Sequence, residues 1–311
     1  MTFWNNQRVL VTGGSGFLGS HLCRRLKEQG AQVHATSRAP KPEPDSGIRW
    51  WRTDLGDMNA FRDLLDSVKP EVIYHLAGAV GASPARELVL PTFHSLLEST
   101  VNLLTAITET GCRRLVLTGS LTEPRTGGRE ATPVSPYAAA KWAASGYGRM
   151  FHALYQTPVV ILKPFMTYGP AQDTRKLIPS IILSLLEGKA PQLSSGQWQA
   201  DWIFVDDVID GFLAAAERPG IEGQTLDLGS GSLVSVRALV EQLVTIMRPS
   251  AQPMFGALPD RPMEPVCVAD VIRSESQLGW CASTPLERGL HQTVEWYRST
   301  LNAPNGSGGR G

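Results

Sequence analysis

Cysteine is scarce in this chain. Cys23, Cys112, Cys267 and Cys281 are scattered, with no Cys-x-x-Cys and no Cys/His pairing at ligand spacing. That argues against a disulfide framework and against a structural zinc site. The six histidines contain no His-x-x-x-His pair, so no metal is expected. Net charge is also missing: the formal total is zero, which provides no whole-molecule field for nucleic acid or an anionic membrane. Neither is an expected partner. No apolar run approaches the roughly 18 residues of a membrane span. From Met1 the chain passes almost directly into an apolar strand pattern at Arg8, leaving no room for a signal peptide. A cytoplasmic location is the expectation.

What is present is alternation. Short apolar runs at Arg8–Thr12, Gln32–Thr36, Trp50–Asp54, Val72–Ala77, Arg114–Gly119 and Pro158–Leu162 read as buried parallel strands. Between them lie stretches of helical spacing: the segment after Gly16, Phe61 to Val68, about Pro91 to Thr110, and the segment from Tyr137 to Tyr155. Strand and helix in this order predict an α/β fold with a doubly wound parallel sheet. Beyond Tyr168-Gly-Pro the pattern loosens into a helix at Leu177–Leu186, the run Asp201–Val208 leading into another helix, and a strand at Thr225–Gly229. A helix from Ser235, a proline-rich stretch from Pro249 to Pro265 and a last helix from Pro285 to Leu301 follow. The expected organisation is a dinucleotide-binding domain over 1–168, with about 202–230 returning to it. A smaller, interleaved substrate domain takes 169–201 and 231–301, and 302–311 form a disordered tail.

Thr12-Gly-Gly-Ser-Gly-Phe-Leu-Gly19 follows a strand and opens a helix. In that context Gly13, Gly16 and Gly19 let the backbone approach a pyrophosphate, and the helix amino terminus offers its free N–H groups. The end of the second strand separates the two nicotinamide dinucleotides, because an acid there binds the ribose hydroxyls and repels a 2′-phosphate. This chain has Ser37 and Arg38 instead, a hydroxyl and a guanidinium that favour NADP(H) over NAD(H), which stays possible. Asp54 and Leu55 are placed beside the adenine. Downstream, Ser135-Pro-Tyr-Ala-Ala-Ala-Lys sets Tyr137 and Lys141 one helical turn apart on a shared face, where the ammonium is expected to lower the phenol's pKa.

With these motifs the chain resembles the extended short-chain dehydrogenase/reductase family, in its nucleotide-sugar epimerase, dehydratase and reductase branch. The resemblance also rests on His75-Leu-Ala-Gly, Tyr168-Gly-Pro, Phe204-Val-Asp-Asp-Val, Leu278-Gly-Trp, Pro285-Leu-Glu-Arg-Gly-Leu and Thr293-Val-Glu-Trp-Tyr. It implies a Rossmann-type fold and a nucleotide-sugar substrate. Ser15, Phe17, Leu18, Leu76, Ala77, Gly78 and Pro164 then join the cofactor contacts. Tyr137 becomes the acid/base, Lys141 the holder of the nicotinamide ribose, and Ser120, with Thr122 as the alternative, the hydroxyl on the reacting oxygen. Lys176, Arg261 and Arg273 are candidates for the substrate diphosphate, and a homodimer is expected.

Departures from the family narrow the chemistry. Related 4,6-dehydratases carry an Asp-Glu pair directly after the strand-end hydroxyl, whereas Leu121 and Thr122 stand here. Glu123 lies one residue beyond a glutamate of related decarboxylases and is expected to face away. Leu96 or a neighbour replaces an asparagine common in the helix before the fifth strand. Trp198 and Trp202 are read as packing residues with an alternative role as pocket walls, and Asp206 and Asp207 as structural. The expectation is an NADP(H)-linked ketoreductase of a 4-keto-deoxysugar. The alternatives are a 4-epimerase that retains its cofactor and a non-catalytic NADP(H)-binding sensor.

Overall fold

A computed structural model describes residues 3–38, 47–81, 83–124, 132–260 and 266–302. Arg261 and the tail beyond 302 lie outside them. The chain divides into two compact units. The first comprises the described residues of Met1–Phe165, Val208–Leu228 and Asp270–Cys281, and the second those of Met166–Asp207, Gly229–Ala269 and Ala282–Gly311.

The first unit is built on a seven-stranded, wholly parallel sheet. Its strands are β1 (Arg8–Thr12), β2 (Gln32–Thr36), β3 (Ile48–Trp51), β4 (Val72–His75), β5 (Arg114–Thr118), β6 (Val159–Pro164) and β9 (Thr225–Leu228). Their order is β3-β2-β1-β4-β5-β6-β9, the doubly wound arrangement of a Rossmann-type fold. β1 and β4 are buried through nearly every position, as sheets covered on both faces require. Between the sheet and the helices α2 (Met58–Val68) and α4 (Ser99–Thr110) lies a core of Leu10, Phe61, Leu65, Leu103, Ile107 and Ile161. Each such burial contributes about 1.5–3 kcal/mol. α2 starts where the Asp57 carboxylate accepts from the Asn59 and Ala60 amides.

Several elements differ from the sequence reading. The third strand runs Ile48–Trp51 rather than Trp50–Asp54, because β2 ends at Thr36, its partner is Trp51, and the Ser37 amide donates to the Trp51 carbonyl as pairing stops. The expected helix from Pro91 to Thr110 is broken into α3 (Val89–Thr92), a π-helical turn Phe93–Glu98, and α4. Ser99 and Thr100 donate their hydroxyls to the carbonyls of Ser95 and Leu96, four residues back, as the π turn closes. A short helix, α9 (Val271–Leu278), was not anticipated. It belongs to the first unit, where Ser274 donates to the Asp227 carbonyl and Arg273 to the Gln224 side chain.

The second unit carries a three-stranded sheet of β10 (Leu233–Ser235), β8 (Gln199–Phe204) and β7 (Met166–Tyr168), with helices α6 (Leu177–Leu186), α8 (Val236–Met247) and α10 (Leu286–Asn302). Its polar anchor is the buried Asp201 carboxylate. It accepts from the Ser230 amide and hydroxyl and from the Gly231 and Ala269 amides at 2.6–3.0 Å. Trp202 donates its indole N–H to the Val234 carbonyl and meets Trp198 edge to face, so this pair packs the sheet. Asp207 accepts from the Ser283 amide and hydroxyl and the Thr284 amide, a structural tie. Among the described residues no helix is long and apolar enough to cross a membrane.

Candidate active site

The candidate residues of the first unit follow the carboxyl ends of its parallel strands, so they gather along one edge of the sheet. After β1 the chain turns through Gly13, at φ +69°, into α1 (Phe17–Glu28). A Cβ on Gly13 would lie 2.8 Å from the Ala77 Cα, and one on Gly19 would overlap the Gly13 carbonyl oxygen. The turn therefore packs backbone on backbone, bringing Leu76, Ala77 and Gly78 beside it. Ser15 and Gly16 are exposed, and Gly16 caps α1 without any side-chain hydrogen bond. The first amides of α1 have no partner within the helix, and its first turn carries no acid. This is a cradle that fits the pyrophosphate of a dinucleotide.

Beside it, the Thr36 hydroxyl accepts from the Gly13 amide, and Ser37 is buried with no hydrogen-bond partner for its Oγ among the described residues. Arg38 is exposed at the same strand end. Asp54, also exposed, accepts from the Gly56 amide, and the Leu55 carbonyl accepts from Asn102. Pro164 is buried at the end of β6.

Ser135 caps α5 (Pro136–Tyr155) by accepting from the Ala138 amide, and Pro136 occupies the first turn. This start sets Tyr137 and Lys141 on the face towards β5. The Lys141 ammonium donates to the Thr118 carbonyl at 2.6 Å. The Tyr137 side chain hydrogen-bonds Ser120, whose hydroxyl shares a 2.9 Å hydrogen bond with that of Thr122. Both proposed hydroxyls thus occupy one spot.

Burial drops the Lys141 ammonium to about 8, with the Glu123 charge opposing the shift. The Tyr137 phenol moves the other way from the expected direction. Burial pushes it above its usual value, the Ser120 hydrogen bond pulls it down, and Glu123 pushes it up. Burial outweighs the Ser120 hydrogen bond.

Glu123 does not simply face away. It is buried, and its Oε1 accepts from the Ser120 amide at 2.8 Å and the Ser145 hydroxyl at 3.0 Å. Its Oε2 lies 3.0 Å from the Lys163 Nζ. A second buried chain runs from the Ala77 amide to the Thr12 hydroxyl, on to His75 Nδ1, and from His75 Nε2 through the Thr100 hydroxyl to the Leu96 carbonyl. The donors and acceptors make His75 neutral with its proton on Nε2. Burial, and then the Lys141 charge, hold its pKa down at about 3. Leu96 itself is buried against Gly78.

A family model described as NAD dependent epimerase/dehydratase matches residues 9–229. The chain belongs to this family. It is 31% identical to a UDP-glucose 4-epimerase of Mycolicibacterium smegmatis, over 94% of this chain and 99% of the relative. It is 27% identical to a dTDP-glucose 4,6-dehydratase of Haemophilus influenzae, over 93% and 97%. Among solved structures, a UDP-glucuronic acid 4-epimerase from Bacillus cereus, in complex with UDP-glucuronic acid and NAD, has a TM-score of 0.82 at 26% identity, covering 94% of this chain and 99% of that one. A UDP-glucose 4-epimerase from Thermotoga maritima, with UDP-glucose, shares the fold, with a TM-score of 0.86 at 23% identity over 94% of this chain and 99% of that one. The chain is therefore an NAD(P)-dependent enzyme of the short-chain dehydrogenase/reductase type, in a family of nucleotide-sugar epimerases and dehydratases.

The remaining candidates of this family member are less gathered. Lys176 is an exposed residue at the amino end of α6 in the second unit. In the loop before it, Arg175 is paired with Asp173, and the Gln172 carbonyl accepts from the Tyr297 hydroxyl at 2.6 Å. Arg273 is engaged by Gln224 in the first unit. Sequence reasoning passed over Ser145, Lys163 and the Thr12–His75–Thr100 chain. Ser145 had a signal in its spacing, four residues after Lys141. Lys163 had none, since a lysine at the end of a buried strand acquires meaning only when its partner is known.

Proposed function

We propose that the protein is a 4-epimerase of a UDP-linked sugar. The observation that carries this reading is the state of the carboxylates beside the hydroxyl pair. No acid occupies 121 or 122, and Glu123 is fully enclosed and bound to Lys163, Ser145 and the Ser120 amide. An elimination needs a free acid and base near the sugar, and among the described residues of this turn no free carboxylate is available. What remains is Ser120, Thr122, Tyr137 and Lys141, a set suited to moving one proton on and off one oxygen. The relatives named as 4-epimerases of UDP-glucose and UDP-glucuronate support the same choice.

In this mechanism Ser120 and Thr122 orient the reacting oxygen by hydrogen bonds. Tyr137 takes the proton of the C4 hydroxyl and later returns it. Lys141, anchored on the Thr118 carbonyl, holds the cofactor ribose and the register of the phenol. A nicotinamide dinucleotide held there would supply hydride transfer, and its positive charge in the oxidised form would favour the phenolate of Tyr137. Gly13 to Gly19 would hold the pyrophosphate. Lys176 and Arg261 remain candidate contacts to the substrate diphosphate. The cofactor preference proposed is NADP(H), supported by the absence of an acid at the end of β2, the Ser37 hydroxyl that has no partner among the described residues, and the exposed Arg38. Exposed Tyr147, Leu154 and Tyr155 along α5 support a homodimer.

Ketoreduction is the second reading. The raised phenol of Tyr137 suits a proton donor, and Ser37-Arg38 suits a dissociable NADPH. Incubation of the purified protein with UDP-glucose, followed by sugar NMR and near-ultraviolet absorbance, separates the two. Epimerisation yields UDP-galactose with no net change in reduced cofactor. Stoichiometric consumption of NADPH on a 4-keto sugar, with no interconversion of the two hexoses, would establish the reductase instead. Tyr137→Phe should cost about a hundred- to ten-thousand-fold in rate with dinucleotide binding intact. Near-normal turnover would remove Tyr137 from the mechanism.

A further inference from the structure

The enclosed carboxylate is an unusual thing to place directly beneath a hydroxyl site. Burying an ion pair takes two charges out of water, and replacing such a pair by apolar residues is often neutral or stabilising. Glu123 and Lys163 occupy that position with side chains 0% and 16% exposed. The backbone accommodates them: a Cβ on Gly119 would lie 2.6 Å from Glu123 Oε1 and 3.0 Å from Lys163 Cγ. Three elements meet on this one carboxylate. The end of β5 donates through the Ser120 amide, α5 through the Ser145 hydroxyl, and β6 supplies the Lys163 ammonium. Ser145 lies on the same helix as Tyr137 and Lys141, one turn after the lysine.

We propose that Glu123 is a positioning residue of the active site, whose carboxylate, neutralised by Lys163, clamps the Ser120 turn to α5 and so sets the Ser120 hydroxyl against the Tyr137 phenol. This rests on the proposed roles of Ser120 and Tyr137 and adds a residue that acts through them. The groups facing the cluster are Lys163 from β6 and Tyr137 and Lys141 from α5, with His75 of β4 coupled in turn to Lys141. The Glu123 charge raises both Tyr137 and Lys141, in keeping with this placement. The Glu123 charge therefore reaches both site residues, which a purely architectural residue would not do.

The test compares wild type with Glu123→Gln, Lys163→Met and the double variant, reading the dissociation constants of NAD+ and NADP+ against pH. Affinity in the wild type should weaken as Lys141 loses its proton. In Glu123→Gln that weakening should begin at a pH lower by about half a unit or more, and in Lys163→Met at a higher pH, with the double variant returning towards wild type. On UDP-glucose, Glu123→Gln should lower kcat about tenfold while KM changes by less than about twofold. A limb that moves the same way in both single variants, or in neither, would overturn the inference. If Glu123→Gln fails to fold, Lys163→Met and the double variant decide it by the same opposition. A wild type that binds dinucleotide and leaves UDP-glucose unchanged counts against the proposed epimerase alone, because the binding titration does not depend on the sugar.

Discussion

Two turns at the same edge of the first unit's sheet do opposite things with side chains. After β1, Gly13 to Gly19 removes them, so that backbone meets backbone and the amides of α1 stay open. After β5, Ser120 to Glu123 gathers them: two hydroxyls share a hydrogen bond, and a carboxylate is enclosed by partners from α5 and β6. The first turn makes a site from groups every residue has. The second depends on residues that come together only when the sheet and α5 have packed. A backbone site is rigid against most changes of charge and fragile to any added volume. A side-chain site tolerates volume better and is sensitive to pH.

That contrast can be broken. The largest effect is expected at Gly19, where a side chain would overlap the Gly13 carbonyl oxygen and a Cβ would lie 2.8 Å from the Gly14 Cα. Gly19→Val should weaken dinucleotide binding by about a hundredfold or more while altering none of the site's titrations. Calorimetric titration would show it, and an unchanged affinity would mean that the turn is not a phosphate cradle.

His75 joins the two turns, bonded to Thr12 on one side and sensing Lys141 on the other. Its pKa in the fold, about 3, lies below the ordinary 6.5, so the unfolded chain takes up a proton that the folded chain refuses. The His75 contribution to stability is thus complete above pH 6.5 and is lost as pH falls towards 3, by about 1.4 kcal/mol per pH unit within that window. Denaturant melts across this range should slope, and His75→Gln should flatten the slope. Equal slopes in both proteins would mean that another group governs the acid limb.

A smaller effect concerns Lys141, on α5 beside the side-chain turn. Burial brings the midpoint of its ammonium's discharge down to about 8 from 10.5. If that charge holds the cofactor, affinity falls as pH rises through 8, approaching about tenfold per unit. Lys141→Met should bind more weakly and show no such limb. A limb that persists in the variant would assign it elsewhere.

Most of the scaffold was legible because it rests on local periodicity. β1, β2 and α5 follow from apolar runs, glycines and the Ser135-Pro136 cap, and the Tyr137/Lys141 spacing forces both residues onto one face. The misreadings occur where a partner decides. β3 ends at Trp51 because β2 ends, not because its own residues change character. The π turn at Phe93–Glu98 arises from hydroxyls bonding backwards, within a pattern that reads as a simple helix. Glu123 looked like a misplaced acid until Ser145 and Lys163 stood beside it.

By itself, then, the order of residues determined the doubly wound sheet, the glycine cradle and the phenol–ammonium pair, since each is specified within about one helical turn or one strand-to-helix junction. Tertiary structure alone decided which charges face that pair and whether the nearby carboxylate was free to react. Those questions turn on burial and on contacts 22 and 40 residues apart, here Glu123 with Ser145 and with Lys163, which no local pattern encodes. In a low-dielectric interior such contacts set the proton affinities on which the chemistry runs.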